Sequence, residues 1–190
     1  MKYTEKIQRA IKFSVKTHEV YQKQKRKGKD VAYITHPLTV GLILSQAGAS
    51  EDVIAAGILH DTIEDSAEHK KVDRQMIVER FGEHVAELVM SVTEENPQSP
   101  WTERKRQARE HIAEFSHDSL LLKSADILAN TAEIVNYHAR YGDEVFGWFS
   151  ASKEDSINHY LLSIEAILKR WPENPLAEDL EHVAENLRKL

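Results

Sequence analysis

The sequence predicts an all-α protein. Apolar residues recur at helical spacing through most of its 190 residues. No stretch alternates apolar and polar side chains as a half-buried strand would. The residues between the apolar runs are those that start and stop helices. A bundle of about eight to ten helices is expected. It should form one domain over residues 1–190, a length that can bury its own core.

The elements follow in order. Ile7, Ala10, Ile11 and Val15 share one face of a first helix. The stretch from Gln22 to Val31 breaks that period and reads as a loop. Pro37 can take the first position of a second helix, where its missing N–H costs nothing. Val40, Ile43 and Leu44 continue this helix until Gly48. Ser50 suits the N-cap of a third, with Glu51 and Asp52 in a first turn that favours carboxylates. Val53 to Leu59 is apolar nearly all round, so this helix should be buried. A fourth helix runs from about Asp73 to Phe81 and stops at Gly82; a fifth covers about Glu83 to Val92. Residues 94–100, EENPQSP, read as a loop. Helices are then predicted at about 101–115, 118–137, 153–171 and 176–189, with Pro172 and Pro175 between the last two.

Composition narrows the function. There is no cysteine, so disulfides and thiolate metal sites are excluded and any metal needs nitrogen and oxygen ligands. The net charge of -6 argues against a nucleic-acid partner. No apolar run approaches the roughly 20 residues of a membrane span, and the N-terminus lacks a signal peptide's apolar stretch. No membrane association and a cytoplasmic location are expected. Lys23, Lys25, Arg26, Lys27 and Lys29 nevertheless crowd into seven residues. By itself this run reads as a solvated loop more readily than as an anion site.

Three segments carry chemistry. HDTIED, His60 to Asp65, ends the helix expected to be buried. Ionisable groups seldom enter such a place unpaired, because desolvation is expensive. On a helix His60 and Glu64 would be one turn apart, as would Asp61 and Asp65, and such a cluster can share a cation. The other reading is a helix end opening into solvent. In YITHP, His36 opens a helix; taken alone it reads as structural. In KSADILAN, Lys123, Asp126 and Asn130 share one face of an apolar helix. There Asp126 is either half of an internal ion pair or the carboxylate completing a histidine-based metal site.

Joined, His36, His60, Asp61 and Asp126 supply two imidazoles and two carboxylates. That set suits Mn²⁺, Zn²⁺ or Fe²⁺ and suits Ca²⁺ poorly. Four protein ligands leave room for water and substrate only above four-coordination, which favours Mn²⁺ or a similar ion over structural Zn²⁺. Glu64 and Asp65 remain as non-ligand carboxylates able to handle protons.

The ordered set His36-Pro37, His60-Asp61, Glu64-Asp65, then Asp126 with Asn130 resembles the hydrolase domain of RelA/SpoT proteins, and more closely their single-domain relatives, the small alarmone hydrolases. RKGKDVAYITHPL, AAGILHDTIEDS, FGEHVAELVMSVTE, WTERKRQ and GWFSASKED extend the likeness over nearly the whole chain. The resemblance implies an HD-type helical fold and one Mn²⁺ ion. It also implies removal of the 3′-pyrophosphate of (p)ppGpp, giving pyrophosphate and GDP or GTP. By position, His36, His60, Asp61 and Asp126 resemble the metal ligands and Glu64 and Asp65 the catalytic pair. Arg26 and Lys27 resemble a basic pair facing substrate, Lys105 a phosphate-contacting lysine and Asn130 a nucleotide-contacting asparagine. The Lys-rich loop then reads as an anion site.

There are departures. Ile127 and Ala129 stand where the family commonly has a basic residue and a histidine, and Ala32 replaces the proline of its PYI. These leave open another nucleotide substrate, such as an adenosine alarmone; a nucleotide-binding module without turnover is the other alternative. His18 reads as a packed or pocket-wall residue. Trp101, Trp148 and Trp171 read as packing anchors, and Tyr137 and Tyr141 more as packing than as a base platform. His159, like the remaining histidines, has no ligand-like spacing. The oligomeric state stays open.

Overall fold

The computed structural model describes residues 3–94, 96 and 98–190. Among them the structure is all-α, with no strand; its β character is the isolated bridge between Lys25 and Ala32. Glu95 and Pro97 of the expected loop at 94–100 lie outside the described residues. The chain divides into two compact units, one to Thr93 and one from Glu94.

The first unit holds α1 (Glu5–Val15), α2 (Thr35–Gln46), α3 (Glu51–Leu59), α4 (Arg74–Phe81) and α5 (Glu83–Val92). As expected from its apolar run, α3 is the centre, with Val53 through Leu59 all buried. It packs against α1, α2 and α5, while α4 pairs with α5. Ser50 caps α3 by accepting from the N–H of Val53, satisfying a donor that has no partner within the helix. Two glycines set the α2–α3 spacing. A Cβ at Gly57 would lie 3.2 Å from Val40 Cγ1 and overlap Leu44, and one at Gly41 would lie 2.6 Å from Ile58 Cγ1.

The structure corrects the sequence reading in three places here. The first helix reaches Gln22, where the loop was expected to begin, but its last part, Lys16–Gln22, is a wider π-helical stretch, ended by Lys23 in the left-handed region at φ 52°. Next, α2 starts at Thr35, two residues before the predicted position, so Pro37 is its third residue. It is still in the first turn, where a backbone N–H has no helical partner to lose. Finally, HDTIED is not helical: α3 ends at Leu59, His60 is its C-cap, and the segment proceeds as turns.

The second unit holds α6 (Trp101–His111), α7 (His117–Tyr141), α8 (Lys153–Arg170) and α9 (Ala177–Leu187). Within it, α7 packs against α8 and α9, and α6 against α8. Four residues longer than predicted at its C-terminal end, α7 stops at Gly142, whose φ of 61° suits glycine. A 3₁₀ segment, Gly142–Trp148, then folds Val145 and Phe146 onto Ile134 and Leu187. Trp148 packs on this cluster, and Tyr137 and Tyr141 stack on each other beside it, as packing residues do. Trp171 stacks flat on His117 with ring centroids 4.4 Å apart.

Candidate metal centre and its surroundings

In the first unit, His36 stands in the first turn of α2 and His60 at the end of α3, and both are buried. Close α2–α3 packing brings their Nε2 atoms to 3.2 Å. Asp61 adds a carboxylate, Oδ1 lying 3.1 Å from His60 Nε2 and Oδ2 3.6 Å from His36 Nε2. His60 Nδ1 lies 2.8 Å from the carbonyl oxygen of Gly57. A carbonyl only accepts, so Nδ1 carries the hydrogen and the Nε2 of neutral His60 presents a lone pair.

These spacings fit a shared cation. Two ligand atoms each about 2.1 Å from one ion stand about 3.0 Å apart at a right angle and about 3.4 Å apart at a tetrahedral angle. Two imidazole nitrogens and a carboxylate therefore could hold a divalent transition-metal ion. Without a cation or proton among them, lone pairs and a negative charge would face one another in a poorly solvated place.

Tyr33 supports the cluster: its hydroxyl donates to Asp61 Oδ2 at 2.6 Å. Burial first, then the charges of Asp61 and Asp65, pushes its phenol far above the usual range, so it stays a donor. Asp65 Oδ2 accepts from Gln24 Nε2 at 2.9 Å, and Gln24 Oε1 lies 3.1 Å from Nδ1 of fully buried His18. Burial, then repulsion from Asp61, raises the Asp65 carboxyl above its ordinary value. Glu64 is exposed four residues after His60, in the turns that follow α3.

The basic loop folds back on itself. The Arg26 N–H donates to the Val31 carbonyl at 2.9 Å, and that of Tyr33 to Gln24 at 3.0 Å. This sets the Arg26 guanidinium 5.6 Å from the centre of the Tyr33 ring, beside the group that holds Asp61. Lys27 is exposed at the tip of the turn. Sequence reasoning did not single out Gln24 or the role of Tyr33. The signal was faint: a polar residue and an aromatic at either end of a basic run.

In the second unit, Asp126 is buried on α7. Lys123 Nζ lies 2.8 Å from Asp126 Oδ2, and Asn130 Nδ2 donates to Oδ1 at 2.7 Å. The three residues share a face as their spacing required. Lys105 on α6 donates to Glu94 at 2.6 Å, and Arg104 binds the other oxygen of the same carboxylate. Burial alone would raise the Glu94 carboxyl, but Lys105 and Arg104 outweigh it and hold it below the ordinary range.

His159, which its spacing left unremarkable, is buried on α8, and its Nδ1 lies 3.3 Å from the Arg109 guanidinium. Burial first, then Lys105, Lys123 and Arg109, pushes its pKa down to about 2, so it remains neutral and accepts from Arg109. Ile127 and Ala129, the two departures on α7, are both buried.

Residues 10–134 match the profile of the HD domain family. Over 130 residues the chain is 38% identical to the guanosine-3′,5′-bis(diphosphate) 3′-pyrophosphohydrolase of Aquifex aeolicus, covering 67% of this chain but 18% of that protein. Over 140 residues it is 35% identical to the Danio rerio protein named guanosine-3′,5′-bis(diphosphate) 3′-pyrophosphohydrolase MESH1, covering 70% of this chain and 75% of that one. A solved structure described as a metazoan ortholog of SpoT that hydrolyzes ppGpp superposes with a TM-score of 0.77, covering 100% of this chain and 99% of its own, at 22% identity. That likeness is one of fold.

Proposed function

This chain belongs to the HD domain family, and on that footing we propose that it removes the 3′-pyrophosphate of (p)ppGpp, releasing pyrophosphate and GDP or GTP. The observation that carries this reading is the meeting of His36 Nε2, His60 Nε2 and the Asp61 carboxylate at 3.1–3.6 Å. Names of relatives at 35–38% identity support the substrate class.

The proposed ligands of one divalent ion, taken as Mn²⁺, are His36, His60, Asp61 and Asp126. Asp126 is included for its place in the family pattern and for being a carboxylate within a buried apolar helix. The reading thus treats residues 1–190 as one catalytic domain. Such an ion lowers the pKa of water and offsets phosphate charge. Asp65, its carboxyl raised by burial, is suited to take up or hold a proton, and Glu64 to orient the attacking water. Arg26 presents a planar fork to phosphate oxygens, while Lys27 and Lys105 act as point charges. Asn130 contacts the nucleotide.

The test is a panel of 3′- and 5′-phosphorylated nucleotides incubated with the protein and Mn²⁺. Pyrophosphate release from ppGpp is expected. Orthophosphate release from simple nucleotides instead, or binding of ppGpp without turnover, would overturn the reading.

A further inference from the structure

A second basic feature lies in the first unit and shares no residue with the candidate metal centre. Arg9, Lys12 and Lys16 fall on one face of α1 and its π-helical continuation, with Phe13 among them. Arg80 and Phe81 come from the end of α4. Together these six residues line an open cavity of about 210 Å³ that no carboxylate lines.

The cavity is organised by its aromatic floor. Phe13 and Phe81 meet edge to face with centroids 5.6 Å apart. Each also carries an arginine from the opposite element: Arg9 lies 5.6 Å from the centre of Phe81, and Arg80 lies 5.5 Å from that of Phe13. Arg9 also donates to the carbonyl of Arg80, which ties the two elements together at the mouth. Guanidinium groups seated on rings lose little further freedom when they bind an anion.

On a chain of net charge -6, several cations elsewhere have carboxylate partners: Lys6 with Asp52, Lys25 with Asp30, Arg74 with Glu83, Arg106 with Glu103 and Glu110. Among the described residues, Arg9, Lys12, Lys16 and Arg80 form no ion pair. Spacings of three and four residues also set Arg9 against Lys12 and Lys12 against Lys16, which repel on a helix surface. Four convergent positive charges without an internal counter-charge are complementary to a compact polyanion.

We infer that this cavity binds a pyrophosphate group, either free or as the phosphate chain of a nucleoside diphosphate. The small size of the basin and its two arginine forks suit vicinal phosphates better than an extended acidic chain. The inference does not depend on the proposed activity, because it concerns binding at residues outside the candidate centre.

The test is calorimetry on the full chain with inorganic pyrophosphate and no added divalent metal. Arg26→Ala/Lys27→Ala serves as the background that removes two of the phosphate contacts of the proposed catalytic site. That protein should still bind pyrophosphate, and adding Lys12→Gln/Lys16→Gln should weaken binding by about tenfold or more, since two charge-assisted contacts are lost. Both lysines are exposed, and their removal relieves repulsion, so the fold should persist; circular dichroism checks this. Raising salt should weaken binding to the background protein more than to the quadruple variant. GDP in place of pyrophosphate separates the two sources: equal affinity assigns the site to the phosphates alone, tighter binding to a nucleotide. Failure of the background protein to bind, or indifference to the lysine changes, would overturn the inference. So would tighter binding of a hexaglutamate peptide than of pyrophosphate.

Discussion

Which ring nitrogen of His60 carries the hydrogen decides what its other nitrogen can do. The Gly57 carbonyl fixes it on Nδ1, and this hydrogen bond also holds the ring plane. The chain thereby presents a lone pair where His36 and Asp61 present theirs. Replacing His60 or Asp126 by alanine should each abolish metal binding and turnover while leaving a helical fold; metal content after purification checks this. Full occupancy with full activity in either variant would exclude that residue as a ligand. Asp65 acts differently in the same account. Asp65→Asn can still accept from Gln24 and should retain metal, yet kcat should fall by roughly 10²–10⁴-fold, the usual worth of a positioned proton carrier. Near-normal kcat with normal metal content would remove Asp65 from the chemistry. At this scale the sequence marked His60, Asp61, Glu64 and Asp65 as ionisable groups ending a buried apolar run, while His36 taken alone read as structural and Asp126 equally as half of an ion pair. Tyr33, Gln24 and His159 were not marked. What each does depends on neighbours distant in sequence, such as Asp61 for Tyr33 and Arg109 for His159, which no local period reveals.

Helix packing positions the two histidines. His36 and His60 meet because α2 and α3 approach at Gly41 and Gly57, where a methyl group has no room against Ile58 or against Val40 and Leu44. Gly57→Ala should therefore destabilise the protein by about 1–3 kcal/mol, the range for overpacking a filled core. It should also lower metal affinity, because Gly57 supplies the carbonyl that holds His60. Denaturant unfolding with metal titration measures both, and an unchanged midpoint with unchanged affinity would show the spacing to be unimportant. Helix existence was readable from caps and apolar periods: Ser50, Gly82 and the run from Val53 to Leu59 all did what their chemistry requires. The π-helical stretch at Lys16–Gln22 was not readable, because it keeps a nearly helical period while widening the turn. Nor was the end of α3 at Leu59, since HDTIED contains no glycine or proline to stop a helix. The start of α2 was misplaced because Pro37 fits anywhere in a first turn.

At the scale of the whole chain, pH exposes a cost built into the second unit. Unfolded, His159 returns to its ordinary value of 6.5; folded, burial and then Lys105, Lys123 and Arg109 hold it at about 2. Between these values the unfolded chain binds a proton that the folded chain does not. The stability contributed by neutral His159 is thus fully present above pH 6.5 and is lost progressively as pH falls toward 2. One such group contributes a slope of roughly 1 kcal/mol per pH unit. His159→Gln, which can still accept from Arg109, should flatten the stability profile by about that slope between pH 6 and 4. Identical profiles by denaturant unfolding would show that the histidine is protonated in the folded protein. The chain's membership of the HD domain family, its all-helical fold and its histidine–carboxylate cluster meet in one claim, metal-dependent removal of a 3′-pyrophosphate. The most direct measurement supplies ppGpp to chelator-stripped protein before and after Mn²⁺ is restored, with every product identified. Pyrophosphate and GDP in equal amounts, formed only with the metal, are the result expected. Equal turnover without metal, or no turnover with the metal bound, would contradict the account.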